Sequence, residues 1–334
     1  MKNKKLRVAL LVGGASPERP VSKDSSKAVH GALLSLGYEV KVIDPAYGIN
    51  QPDEVEKYFI KEEFAQVSSE NYIEALNKEA LRDIDVVFLG LHGKWGEDGT
   101  VQSILDLNNI RYTGSGVLAS SLGMDKNLSK VMFQHYDVHT PKWFVYNAGD
   151  KNINTVKEKI KKFFGFPCII KPNDSGSTIG LTVCRGATEV EKALEDAVSV
   201  SDKVIVEEFI PGHELTVGVI GQHPLQPLEI KPKHGLYDYE CKYTDGMSQY
   251  IVPAEFPSEV LKHLQQQALL AYNSIGCSNY ARVDFRVNEK HESYCLEVNT
   301  LPGMTSHSLV PKMAKAEGIT FEELIDKIIL SALL

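Results

Sequence analysis

Residues 281–309 read ARVDFRVNEKHESYCLEVNTLPGMTSHSL. Ala281, Val283, Phe285 and Val287 alternate with Arg282, Asp284 and Arg286, and after the polar turn NEKHES, Tyr294, Leu296 and Val298 alternate with Cys295, Glu297 and Asn299. Period-two alternation on both sides of a polar turn predicts a β-hairpin with one buried face. Residues two apart on a strand share a face, so Glu297 and Asn299 point together. Asp284 joins them if the register aligns the two polar faces. Two carboxylates and an amide oxygen form an all-oxygen donor set, which suits Mg²⁺ completed by water and substrate phosphates. The same alternation also describes an ordinary amphipathic hairpin with its charges in water. The segment that follows, LPGMTSHSL, is rich in hydroxyls and feeds a helix from about Ser308, a ready anion site.

The 334 residues suffice for two or three domains. Hydrophobic residues make up 43% and charged residues 24%, an ordinary globular composition. A net charge of −8 argues against a nucleic-acid or anionic-membrane surface, so an anionic ligand must be held by local cations. The five cysteines, Cys168, Cys184, Cys241, Cys277 and Cys295, are widely spaced with no CxxC, which predicts free thiols in a reducing cytosol. The opening MKNKKLRVALLVGG has too short an apolar run for a signal peptide and is expected to be the first core strand. No apolar run approaches the roughly 20 residues of a membrane span.

Taken in order, Arg7 to Val12 is a strand ended by Gly13-Gly14, Lys23 to Leu36 a helix, and Glu39 to Ile43 a second strand. This predicts a parallel α/β unit at the N-terminus. Ligands in such sheets bind beyond the carboxyl ends of strands, which places Glu18 well for function. The acidic stretch from about Asn50 to Asp83 is read as helices without chemistry. Asp85 to Leu91 and Ile110 to Tyr112 are read as further strands. The turn Gly114-Ser115-Gly116-Val117-Leu118-Ala119 fits a short dinucleotide pattern, with Asp137 near the expected ribose acid. It does not follow the first strand of its unit, which weakens a nicotinamide reading. Lys126 and Lys130 lie on one helix. Pro167 to Lys171 is a strand ending in lysine, and the Ser/Gly loop after it could cover a phosphate. Residues 234–256 form a long polar loop, expected to act as a lid, with Lys242 and Tyr243 its obvious chemical groups.

The motifs GGASPER (13–19), HGKWGEDGTVQ (92–102), YTGSG (112–116), MDK (124–126), IIKPNDSGSTIGL (169–181), VEEFIPGHELTV (206–217), YDYECKY (237–243), ARVDF (281–285) and LEVNTLPGMTSHSLVP (296–311) follow in this order. Together they resemble the D-alanine–D-alanine ligases, enzymes of the ATP-grasp class, across nearly the whole chain. The resemblance implies an α/β ATP-grasp fold of three domains. These are an N-terminal Rossmann-like parallel α/β domain (1–125, first D-alanine site) and α+β subdomains at 126–210 (the lid) and 211–334 (metal and second-substrate site). It implies ATP as a substrate and two Mg²⁺ ions, replaceable by Mn²⁺, on Asp284, Glu297 and Asn299. Lys126 and Lys171 match phosphate-binding lysines, with Lys242 also reaching phosphate. Glu207, Glu208, Phe209 and Ile210 match the adenine hinge, and Glu214 the ribose contact. Glu18 matches the residue on the first D-alanine's ammonium, with His92 in the same pocket. Arg282 and the Gly303 N–H match the oxyanion site, and Ser308 and Leu309 the grip on the second D-alanine. Glu18, Ser177 and Tyr243 match a triad that closes the lid. Pro20 and Thr178 depart from the pattern, where an acid and a serine are the usual residues.

The implied reaction makes D-alanyl-D-alanine for bacterial peptidoglycan through a D-alanyl phosphate, in a cytoplasmic homodimer. Three other readings stand beside it: a relative using D-lactate or D-serine as acceptor, a nicotinamide-dependent oxidoreductase using GSGVLA, and a non-catalytic nucleotide-binding protein.

Overall fold

The computed structural model describes residues 6–150, 152–176, 178–233, 244, 246–305 and 308–334. Ser177, Lys242 and Tyr243 lie outside the described residues. The N-terminal sheet is parallel, with β1 (Arg7–Leu11) between β2 (Glu39–Ile43) and β3 (Val86–Leu89). Val8 to Leu11 and Val86 to Leu89 are almost fully buried, the near-continuous apolar pattern of strands covered on both faces. The helix after β1 starts at Arg19, earlier than the apolar spacing alone suggested, because Pro20 sits in its first turn. Gly13 and Gly14 both take φ of +76°, a backbone that L side chains rarely adopt.

The middle sheet is antiparallel in the order β4 (Trp143–Asn147), β7 (Lys203–Glu208), β5 (Cys168–Pro172), β6 (Thr182–Cys184). The helices Ile153–Phe163 and Val190–Val198 close its apolar side. The third sheet, also antiparallel, runs β11 (Ser248–Ile251), β10 (Leu228–Pro232), β8 (His213–Ile220), β12 (Tyr280–Val287), β13 (Ser293–Asn299), with β9 (His223–Pro224) beside β8. The helix Ser258–Ser274 covers one side through Leu264, Ala268, Ala271 and Tyr272. The N-terminal sheet shares a continuous core with Leu301, Met304, Val310, Met313 and the terminal helix Phe321–Ser331. The middle sheet has a core of its own.

Several sequence expectations give way. Residues 50–83 are mostly bends and turns, with two short 3₁₀ turns, Val55–Tyr58 and Ser69–Asn71, and one four-residue helix, Tyr72–Ala75. They are held down by buried Tyr58 and Tyr72 rather than by an amphipathic stripe. The stretch also has a charged role. Glu63 is 2.7 Å from Arg19 and 3.1 Å from Lys23, and accepts from the Tyr47 hydroxyl at 2.8 Å. Arg19 also pairs with buried Asp44 at 2.6 Å and donates to the Gly14 carbonyl, so this network braces the loop that carries Glu18. The Ile110–Tyr112 strand reduces to one bridge, Val87 to Tyr112.

The deciding hairpin forms, with one change of phase. Asp284 pairs with Glu297 but Phe285 pairs with Cys295, leaving Leu296 as the extra residue of a β-bulge. Cys295 therefore points into the core at 0% exposure, and Leu296 turns to line a cleft. The predicted grouping of Tyr294, Leu296 and Val298 on the buried face holds only for Val298. The described cysteines, Cys168, Cys184, Cys277 and Cys295, are free and buried.

Candidate active site

Two cavities meet at the hairpin. One, of about 140 Å³, lies between the middle and third sheets and is lined by Lys126, Lys171, Glu207, Glu208, Phe209, Ile210, Glu214, Asp284 and the bulged Leu296. The other, of about 1440 Å³, is lined by Glu18, His92, Asn299, Gly303, Ser308 and Leu309. Gly176, Arg282 and Glu297 line both. Every described site residue that the ligase resemblance implies thus faces one cavity or the other.

The register settles the question left open by the hairpin. Asp284 lies directly opposite Glu297 and Arg282 opposite Asn299, so the donor set shares one face. Arg282 forks onto Asp284, with Nε to Oδ1 at 2.8 Å and Nη2 to Oδ2 at 2.7 Å, and the Thr216 hydroxyl donates to Asp284 Oδ1 at 2.6 Å. Glu297 is 3.1 Å from Lys126 Nζ. Asn299 Oδ1 accepts from the Leu301 N–H at 3.0 Å. Among the described residues no set of three carboxylates, histidines or cysteines gathers to hold a metal. Two carboxylates and an amide nonetheless fit Mg²⁺, which takes few protein oxygens and keeps water and phosphate as its other ligands.

The cationic wall is built by the loops. Lys126 opens the helix Lys126–His135, whose N-cap Asp125 accepts from the Leu128 N–H and is held by Lys203 at 2.8 Å. The Lys126 ammonium donates to the Ser175 carbonyl at 2.9 Å, and Asn173 accepts from the Asn127 N–H, which clamps this helix start to the Ser/Gly loop. Lys171, near the end of β5, is 2.6 Å from Glu207. Burial works against the Glu207 carboxylate, but Lys130 and Lys171 outweigh it and hold its pKa below the usual range. The side chain of Glu207 is therefore engaged by Lys171 at the cavity wall and by Lys130 behind it.

Glu18 ends the GGASPER loop, and its N–H donates to the Ser16 hydroxyl, which itself donates to the His92 carbonyl at 2.6 Å. His92 Nδ1 is 3.3 Å from Glu97 and Nε2 is 3.3 Å from the Ser25 hydroxyl. Burial lowers the His92 pKa, while Glu97 and Glu18 raise it further, and the net direction is upward. The Met304 N–H donates to Ser25 at 3.3 Å, so one serine links His92 to the Gly303 loop. Ser308 precedes the helix Leu309–Ala316, and its hydroxyl accepts from the Thr305 N–H at 2.9 Å. Ser25, Thr216 and Glu63 were not singled out in the sequence. Each acts through a partner far along the chain, which local patterning does not reveal.

Gly176 connects the Ser/Gly loop to the Glu18 end of the larger cavity. A Cβ there would lie 2.5 Å from Glu18 Oε1. Gly176→Ala is therefore expected to displace Glu18 and raise the apparent KM of a substrate held there by about tenfold, the order of one lost polar contact. A melting temperature within a few degrees of the parent should accompany it. An unchanged KM would refute the contact. The GSGVLA turn, by contrast, is a packing joint: Gly114 N–H donates to Asn279 at 2.8 Å, Ser278 hydrogen-bonds Ser115, and Leu301 packs where a Cβ at Gly114 would stand.

A cleft between two antiparallel sheets, walled by lysines and floored by a carboxylate hairpin, defines an ATP-grasp ligase site. The particular family follows from comparison. Residues 7–115 match the family model for the D-ala D-ala ligase N-terminus and residues 132–330 that for the C-terminus. The chain belongs to the D-alanine–D-alanine ligase family. It is 41% identical to the D-alanine–D-alanine ligase of Syntrophotalea carbinolica over 98% of this chain and 96% of the relative. Among solved structures it resembles the ATP-complexed D-alanine–D-alanine ligase of Bacillus anthracis (TM-score 0.77, 32% identity, 99% of this chain and 98% of the other). It also resembles the VanG D-Ala:D-Ser ligase of Enterococcus faecalis (TM-score 0.82, 30% identity, 98% of this chain and 100% of the other).

Proposed function

We infer that this chain joins two D-alanine molecules at the expense of ATP, releasing ADP and phosphate, for peptidoglycan synthesis. The observation that carries the reading is the junction of a lysine-walled cavity with the Glu18 cavity at Gly176, Arg282 and Glu297. A carboxylate does not condense with an amine at neutral pH, so it must first be activated. In the proposed order Lys126 and Lys171 hold the ATP phosphates while a carboxylate oxygen of the first D-alanine attacks the γ-phosphorus and the bond to ADP breaks. Glu18 takes the ammonium of that D-alanine, and His92 packs in the same pocket. The neutral amine of the second D-alanine, whose carboxylate lies by Ser308 and Leu309, then attacks the carbonyl carbon. Arg282 and the Gly303 N–H take the oxyanion, phosphate leaves, and the amine gives up its proton. Mg²⁺ on Asp284, Glu297 and Asn299, when bound, would neutralise phosphate charge. Adenine would sit by Glu207, Glu208, Phe209 and Ile210, with ribose at Glu214.

The three-domain division at 125 and 210, a homodimer and a cytoplasmic location belong to the same proposal. Among the described residues no helix is long and apolar enough to cross a membrane. The test is phosphate release across D- and L-amino acids, D-serine and D-lactate. Turnover with ATP is expected to require D-alanine, and equal turnover with L-alanine, or none with D-alanine, would sink the reading.

Acceptor choice is assigned to the lid triad of Glu18, Ser177 and Tyr243. Removing one hydroxyl from a closed site costs roughly 1–3 kcal/mol, about tenfold to a hundredfold in a partition ratio. Tyr243→Phe should shift the ratio of D-alanyl-D-alanine to D-alanyl-D-lactate by that factor between pH 6 and 9. A constant ratio would refute the role in selectivity and leave the ligase assignment standing.

A further inference from the structure

Behind the lysine wall lies a charge that the reaction above does not use. Lys130 is completely buried, with its ammonium 2.9 Å from Glu207 Oε2. It donates to the Thr140 hydroxyl at 2.7 Å and sits 5.4 Å from the centre of the Trp143 ring. The other oxygen of Glu207, Oε1, is 2.6 Å from Lys171. Lys171 and Glu207 line the smaller cavity, whereas Lys130 stands one layer behind them and does not.

One ammonium is enough to neutralise one carboxylate. Here two share it, so the cluster carries one net positive charge with both lysines protonated, in a nearly dry setting whose desolvation pulls the Lys130 pKa down. A surplus buried charge is costly unless a counter-charge answers it. The open side of the cluster is the cavity, where an anionic occupant can supply the counter-charge alongside the carboxylates of the wall. A carboxylate shared between two ammoniums also binds each less completely than one of its own, which leaves Lys171 available to a second anion.

We propose that Lys130 is a positioning residue for the nucleotide: by sharing Glu207 it leaves the Lys171 ammonium turned toward the polyphosphate without touching ATP. The proposal rests on the ATP-binding reading given above. Replacing Lys130 by methionine would give Glu207 to Lys171 alone and bring the cluster to zero net charge. Replacing Glu207 by glutamine as well would return it to one positive charge.

The experiment measures equilibrium binding of ATP and of adenosine to the full-length protein, together with kcat and KM, for the parent, Lys130→Met, Glu207→Gln and the double variant. Lys130→Met is expected to weaken ATP by about tenfold, in line with the loss of one charge-assisted contact, with the larger part of the kinetic loss in KM. Adenosine, which lacks phosphates, should be weakened much less. The double variant should bind ATP more tightly than Lys130→Met. Losses that simply add, or equal weakening of ATP and adenosine, would overturn the proposal and leave Lys130 a packing residue. Failure of the parent to bind ATP would instead overturn the ligase reading. If Lys130→Met does not fold, Lys130→Gln takes its place, and a folded Lys130→Gln that binds ATP like the parent would equally overturn the proposal.

Discussion

Glu297→Gln should lower the turnover of this chain by at least about a hundredfold, the range seen when one electrostatic catalytic group is removed. The side chain stands where both cavities meet, directly across from Asp284, with Lys126 at 3.1 Å. Glutamine keeps its shape and one oxygen but takes away the negative charge that a divalent cation would need. The fold should survive. Glu297 is about a third exposed, and an ion pair so placed adds little to stability. The expected signature is a melting temperature close to that of the parent, a collapsed kcat, and a rise in the Mg²⁺ concentration needed for half-maximal rate. A folded variant with near-parental rate and unchanged Mg²⁺ dependence would place the metal elsewhere.

The elements of this site were legible in the sequence where they lie close along the chain. The alternation of residues 281–299 predicts the hairpin, and the lysine and Ser/Gly loop after Pro167 predict a phosphate cover. The bulge at Leu296 was not legible, because one extra residue leaves the letters in strict alternation while inverting which of them is buried. Cys295 looked polar by phase and is core; Leu296 looked core by phase and lines the smaller cavity. The long-range polar pairs were hidden for a related reason. Lys130 and Glu207 are buried charges, which composition treats as surface residues, and each makes sense only beside a partner that the sheet order brings in. Glu63 is exposed, but its long-range pairing was hidden in the same way. Its stretch reads as amphipathic helix by sequence but is pinned by isolated tyrosines instead, and its carboxylate serves the Arg19 and Lys23 side chains some forty residues away. A periodicity argument finds faces; it does not find the joints between faces.

Arg282→Met is expected to have the other large effect, a loss of about 10²–10³ in kcat, as for deletion of one oxyanion donor. Arg282 lines both cavities and is the cation on the strand face between Asp284 and the Gly303 loop. In the described geometry its fork is held by Asp284, which is also tied to Thr216. Two roles follow from that position, and they separate experimentally. If Arg282 serves the second step, acyl phosphate still forms in the methionine variant but is captured less well by the amine. Phosphate release should then exceed dipeptide formation, where the parent keeps the two equal. If Arg282 serves only as counter-charge to Asp284, its loss frees a carboxylate for Mg²⁺, and the variant should need less metal while keeping its coupling. Arg282→Lys adds a second discrimination, since lysine keeps the charge but lacks the planar fork. It should recover little of the rate if directed hydrogen bonds to the oxyanion matter, and most of it if charge alone does. A folded Arg282→Met enzyme within about threefold of the parent, with phosphate and dipeptide still formed one for one, would remove Arg282 from the oxyanion site, since a lost donor there costs a hundredfold or more.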